Sequence, residues 1–126
     1  MVKIMTIKEC YRAIGGNYDN IIARFRSDDR IQKFIYKFLE DESFINMQKA
    51  LECGKIEDAF RAAHTLKGVS ENLGFDKLSK SSHLITEALR TGDMNAALTY
   101  LPHVRDDYQL TIISIKGHRE KILSYE

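Results

Sequence analysis

The sequence predicts an all-α protein, an up-and-down antiparallel four-helix bundle with short additional helices at its N-terminus. Three observations point there. Apolar residues recur at helical spacing through most of the chain, and no alternating run competes with them. Glycines at positions 15, 16, 54, 74 and 92 punctuate the pattern where helices would stop. Composition agrees, since one Pro, seven Gly, no Trp and 44% hydrophobic residues offer too few turn residues for a strand-rich fold.

Thr6 can cap a short first helix, in which Ile7, Cys10, Tyr11 and Ile14 share a face and Gly15-Gly16 stops it. Asn17 or Asp19 starts a second, with Ile21, Ile22 and Phe25 inward. Both are too short to stand alone and are expected to cap one end of the bundle. Asp28 or Asp29 caps a third helix, whose Ile31, Phe34, Ile35, Phe38 and Leu39 form the heaviest apolar stripe in the chain. The acidic run Glu40-Asp41-Glu42 bends or breaks it, and Ser43 can recap a continuation through Phe44, Ile45, Met47 and Leu51 that ends at Gly54. Residues 55–73 make the next helix, closed by Gly74 at C′.

Asp76 can cap a helix carrying Leu78, Ser82, Ile85, Ala88 and Leu89, and Gly92-Asp93 repeats the stop and cap. Leu98, Leu101, Val104 or Arg105, Tyr108, Ile112, Ile115 and Ile122 then keep the helical period. Pro102 lies inside that run, where it either kinks one long helix or starts a second at N1. The β-branched stretch Thr111-Ile112-Ile113-Ser114-Ile115 falls within the longer period and reads as helix.

At 126 residues the chain fits a single domain, 1–126, with 1–27 as cap helices and 28–124 as the bundle. Nineteen basic residues against eighteen acidic leave a net charge of +1, so there is no electrostatic case for nucleic acid or an anionic membrane as partner. No apolar run approaches the length of about 20 residues needed to cross a membrane. Residues 1–5 are too short an apolar run for a signal peptide, and a cytoplasmic location is expected. There Cys10 and Cys53, which lack zinc-site spacing, stay unbridged.

Within residues 55–73, an advance of about 100° per residue places Ala59, Ala62, Leu66, Val69 and Leu73 on one stripe and His64 on the opposite side. Around His64 on the exposed face lie Glu57, Phe60, Arg61, Lys67, Gly68 and Glu71. Two of these break ordinary rules. Phe60 puts apolar area in solvent, unless it is half-buried at the helix edge, and Gly68 costs about 1 kcal/mol relative to Ala in a helix interior. Violations gathered on one patch mark a functional surface.

The run His64-Thr65-Leu66-Lys67-Gly68, followed by Asn72-Leu73-Gly74, resembles the phosphoacceptor motif of histidine phosphotransfer domains. Gly15-Gly16-Asn17, the Phe34/Phe38-Leu39 helix, Ala50-Leu51 and the stretch from Glu87 to Asp93 are placed as in such domains. The resemblance implies a free-standing phosphorelay protein phosphorylated on His64. Its partners would be response regulator receiver domains and a hybrid histidine kinase.

Neutral imidazole keeps a lone pair on one ring nitrogen and is a competent nucleophile, and the phosphoramidate it forms is easily passed on. Lys67, one turn away, can offset the phosphoryl charge, or else pair with Glu71 as an ordinary surface lysine. Gly68 would let a partner's active site approach closely, with Phe60, Arg61 and Glu71 contributing to docking. The receiver is expected to bring the aspartate and Mg²⁺, so this chain would be a carrier without autonomous kinase activity and without a cofactor or metal of its own. No phosphate loop, nucleophile elbow or nucleotide motif is present in the sequence.

Two rivals remain. One is an adaptor that docks receivers without being phosphorylated. The other is a metal-binding bundle, disfavoured because His83, His103 and His118 lie far apart in sequence with no Glu-x-x-His step and the inward stripes are apolar.

Overall fold

Seven helices make up the computed structural model, which describes the backbone of residues 5–125 and side chains of residues 5–120. They are α1 (Ile7–Ile14), α2 (Tyr18–Phe25), α3 (Asp28–Phe38), α4 (Ser43–Glu52), α5 (Ile56–Asn72), α6 (Asp76–Arg90) and α7 (Met94–Tyr125). No strand occurs among the described residues. The signal-peptide expectation for residues 1–4 and the inward placement of Ile122 fall outside the described residues and side chains.

Local chemistry sets most helix starts. Thr6 forms a capping box with Glu9, and Asn17 accepts from the Asn20 amide at 3.0 Å. Three expected caps move. Ser27, not Asp28 or Asp29, caps α3 by accepting from Arg30 N at 3.2 Å, which leaves both aspartates in the first turn, where the helix dipole favours them. Ser43 is the buried first residue of α4 rather than its cap, and its amide donates to Asp41 Oδ1 at 2.8 Å. Asp76 likewise opens α6, behind Phe75, which makes no side-chain capping bond. Between α3 and α4 the chain breaks rather than bends.

The inward faces are also narrower than the apolar patterns. Phe34 is 42% exposed and pairs with Phe25 at 5.1 Å instead of entering the core, because Ile31, Ile35 and Phe38 already fill the inward face of α3. Ile45 and Leu98 are exposed, and α7 turns Ala97, Val104, Thr111 and Ile115 inward instead. Pro102 is exposed within one continuous α7, so it does not start a second helix.

Residues 53–55, 73–75 and 91–93 connect α4 to α5, α5 to α6 and α6 to α7, and such short connections make each helix pack on the next in antiparallel succession. Helices α1 and α3 cover α7. Rings join the layers: Phe38 of α3 lies 5.2 Å from Phe75 and 6.1 Å from Tyr108 of α7, and Phe44 of α4 stacks on Tyr108 at 4.3 Å.

The N-terminal segment clamps the end of α5, where helix carbonyls lack intrahelical partners. Tyr11 Oη donates to Leu73 O at 2.7 Å, Asn17 N to Gly74 O at 2.9 Å and an Arg24 guanidinium nitrogen to Asn72 O at 2.7 Å. Gly16 permits this approach, since a Cβ there would lie 2.7 Å from Gly74 O. Gly74 itself has φ +73°, and with Phe75 N donating to Ser70 O it closes α5 in a Schellman motif.

Candidate functional site

Helix α5 meets its neighbours through Ala59, Ala63, Leu66 and Ser70, with Leu73 buried just past its end. This stripe is turned slightly from the expected one: Ala62 and Val69 are half-buried at its margins, because α4 and α6 flank α5 on two sides. The opposite face carries Glu57, Arg61, His64, Gly68 and Glu71, all exposed, with Phe60 and Lys67 half-buried at its edges.

The imidazole of His64 rests on the ring of Phe60. Helical side chains lean toward the N-terminus, so His64 lies over the turn that carries Phe60, and the two rings are nearly parallel at 11° with centroids 5.9 Å apart. A side chain at position 68 would lean back over His64 in the same way. Gly68 puts nothing there, and a Cβ built on it meets no atom within 4 Å.

The charges around the ring are loosely held. Lys67 Nζ lies 4.0 Å from Glu71 Oε1, the limit of an ion pair, and near-surface pairs of this kind contribute about 0–1 kcal/mol. Little therefore prevents Lys67 from turning to another anion. Arg61 pairs with Asp58 on its own helix, and Thr65 Oγ1 donates to Arg61 O at 3.0 Å, keeping that hydroxyl away from the ring.

Phe60 is not the exposed aromatic that the pattern suggested. It is half-buried against the core, and the Arg90 guanidinium of α6 lies 4.9 Å from its ring centroid. Arg90 Nε in turn lies 3.3 Å from both carboxylate oxygens of Glu87. Helix α6 also borders a shallow groove beside the motif, lined by Lys67, Glu71, Ser79, Lys80, His83 and Leu84, with Leu84 48% exposed. Leu84 carried no signal in the sequence, and Glu87 and Arg90 stood there only within the Glu87 to Asp93 stretch of the resemblance, because helical periodicity does not tell which outward residues of α6 border α5.

The other histidines are dispersed. His83 and His103 are exposed on α6 and α7, whereas His118 is buried with Nδ1 2.7 Å from Tyr36 Oη. Among the described residues no three His, Cys, Asp or Glu side chains gather as metal ligands, and no helix is long and apolar enough to cross a membrane. Cys10 and Cys53 are free, and burial pushes the Cys10 thiol up to about 11.

Comparison with known proteins bears on the helices that carry this site. A family model described as the Hpt domain matches residues 41–111, more than half of the chain, from the loop before α4 into α7. The chain is also 43% identical over 49 residues to the chemotaxis protein CheA of Bacillus subtilis (strain 168), a match covering 36% of this chain and 7% of that protein. No solved structure gives a significant match.

Proposed function

This chain belongs to the Hpt domain family, the histidine phosphocarriers of two-component signalling, and on that premise we propose that it is an intermediate of a multistep phosphorelay. His64 takes a phosphoryl group from the aspartyl phosphate of one receiver domain and passes it to the aspartate of another. The observation that carries this reading is an exposed imidazole with one face supported by Phe60 and an open surface at Gly68.

The neutral imidazole nitrogen attacks phosphorus; the N–P bond forms as the P–O bond to the aspartyl carbonyl breaks, and the carboxylate leaves with the electron pair. Donation reverses these steps. The receiver supplies the aspartate and Mg²⁺, and Lys67 compensates charge on the phosphoryl oxygens, the usual task of cations in phosphoryl transfer. The carrier needs no kinase activity or cofactor of its own. Docking uses the α5 face, with Arg61 and Glu71 setting orientation and the exposed part of Phe60 together with Leu84 supplying apolar area. A hybrid histidine kinase and a response regulator are the chemical kind of partner this requires.

Incubation with a radiolabelled phosphoreceiver tests the proposal. It expects an acid-labile, alkali-stable label on the wild type and none on His64→Gln, with an unchanged thermal midpoint because the ring fills no core space. Receiver binding without label would make the protein an adaptor. A label retained by His64→Gln would move the site to another histidine.

A further inference from the structure

We propose that Arg90 and Glu87 of α6 are positioning residues for His64, acting through the Phe60 ring; this rests on His64 being the phosphoryl acceptor. An exposed histidine on a helix samples several staggered rotamers, and only some of them aim a nitrogen at an incoming phosphorus. Transfer requires a near-attack geometry, so a device that narrows the rotamers raises the rate without touching the phosphoryl group.

The neighbours of His64 form such a device. Its ring stacks at 11° and 5.9 Å on Phe60, within the range of offset aromatic pairs. Phe60 is anchored below by the core and bounded by the Arg90 guanidinium, 4.9 Å from its centroid. Arg90 is itself oriented by Glu87, with 3.3 Å from Nε to each carboxylate oxygen. The order is carboxylate, guanidinium, benzene ring, imidazole, running from α6 to α5. Toward the C-terminal side Gly68 offers no side chain, and a Cβ built there would meet no atom within 4 Å, whereas the Phe60 ring stacks on the imidazole from the N-terminal side.

A cation–π contact at an exposed site changes the population of the stacked arrangement by about two- to fivefold. Arg90→Ala should therefore slow transfer from a radiolabelled phosphoreceiver by about that factor at saturating receiver, with unchanged KM and a thermal midpoint lowered by no more than a few degrees. Arg90→Lys, which keeps the charge without the planar fork, should recover part of the rate. In receiver-free protein, nuclear Overhauser contacts between the Phe60 ring and the His64 imidazole protons should weaken in Arg90→Ala and, to a smaller degree, in Glu87→Gln.

A double-mutant cycle separates this role from a direct one. In a Phe60→Leu background, Arg90→Ala should have no further effect. The same slowing in that background would mean that Arg90 acts on the phosphoryl group itself. A change confined to KM would make it a docking residue, and either result overturns the proposal, as do unchanged ring contacts in Arg90→Ala. Failure of the wild type to take phosphate would instead refute the phosphocarrier reading, while the ring contacts still decide whether Arg90 orients the stack.

Discussion

A side chain at position 68 would lean over the imidazole of His64, because Cα–Cβ bonds in a helix tilt toward its N-terminus. Stability and function therefore pull apart at that residue. With no atom near a Cβ there, Gly68→Ala should stabilise the fold by up to about 1 kcal/mol in denaturant melts. It should also slow phosphotransfer, and Gly68→Gln should slow it more. A wild-type rate in Gly68→Gln would remove the close-approach argument, and a destabilised Gly68→Ala would mean that this face is covered. Lys67 makes the converse case. Its contact with Glu71 is at the 4.0 Å limit and its stem is half-buried, so Lys67→Ala should cost no more than about 1 kcal/mol of stability, most of it packing. Its effect should appear in the transfer rate at saturating receiver, with affinity retained; loss of affinity at normal rate would place Lys67 in docking.

At the scale of elements, the helix that carries His64 is held at its C-terminal end by α1, α2 and the loop between them. The hydrogen bond from Tyr11 to Leu73 O is buried, so Tyr11→Phe leaves an acceptor unsatisfied and should cost about 1–2 kcal/mol. Gly16→Ala should be worse tolerated than its small size suggests, since the new Cβ meets the Gly74 carbonyl at 2.7 Å and the Tyr11 ring at 2.9 Å, neither of them a flexible chain end. Both variants, assayed where they are folded, should transfer phosphate at close to the normal rate. A large rate loss in a folded variant would show that the clamp sets the geometry at His64, not only the stability of α5.

Across the whole molecule, α3 and α7 meet at a polar pair, half-buried Tyr36 and buried His118. Burial lowers the His118 pKa, opposed by the nearby Asp28 carboxylate. The sign follows from linkage. The unfolded chain binds the proton near the ordinary histidine value of 6.5 while the folded one resists it, so this contribution is fully present above that pH and is lost as pH falls below it toward the folded value. Thermal midpoints measured from about pH 7.5 down to about pH 5 should fall less steeply in His118→Gln than in the wild type. Identical slopes would mean that His118 is protonated as readily in the fold as in the open chain.

Much of this was legible in the residues alone. Thr6, Asn17, Gly74 and Gly92 marked helix ends because capping and left-handed backbone are local chemistry, and His64-Thr65-Leu66-Lys67-Gly68 declared its exposed face through helical period. The cap of α3 moved for a local reason too: where Ser27, Asp28 and Asp29 stand side by side, several residues can cap and the sequence does not choose, whereas α4 and α6 start one residue earlier than capping by their polar candidates would place them, behind Glu42 and Phe75, with no side-chain cap. Tertiary structure decided the rest. Which apolar residues go inside depends on how many neighbours a helix has, and so Phe34 and Leu98 face out while His118 is buried. The surroundings of His64 depend on which edge of α6 lies against α5. That rotation brings Arg90 onto Phe60 from 30 positions away, a contact set by packing between helices and not by the period of either one.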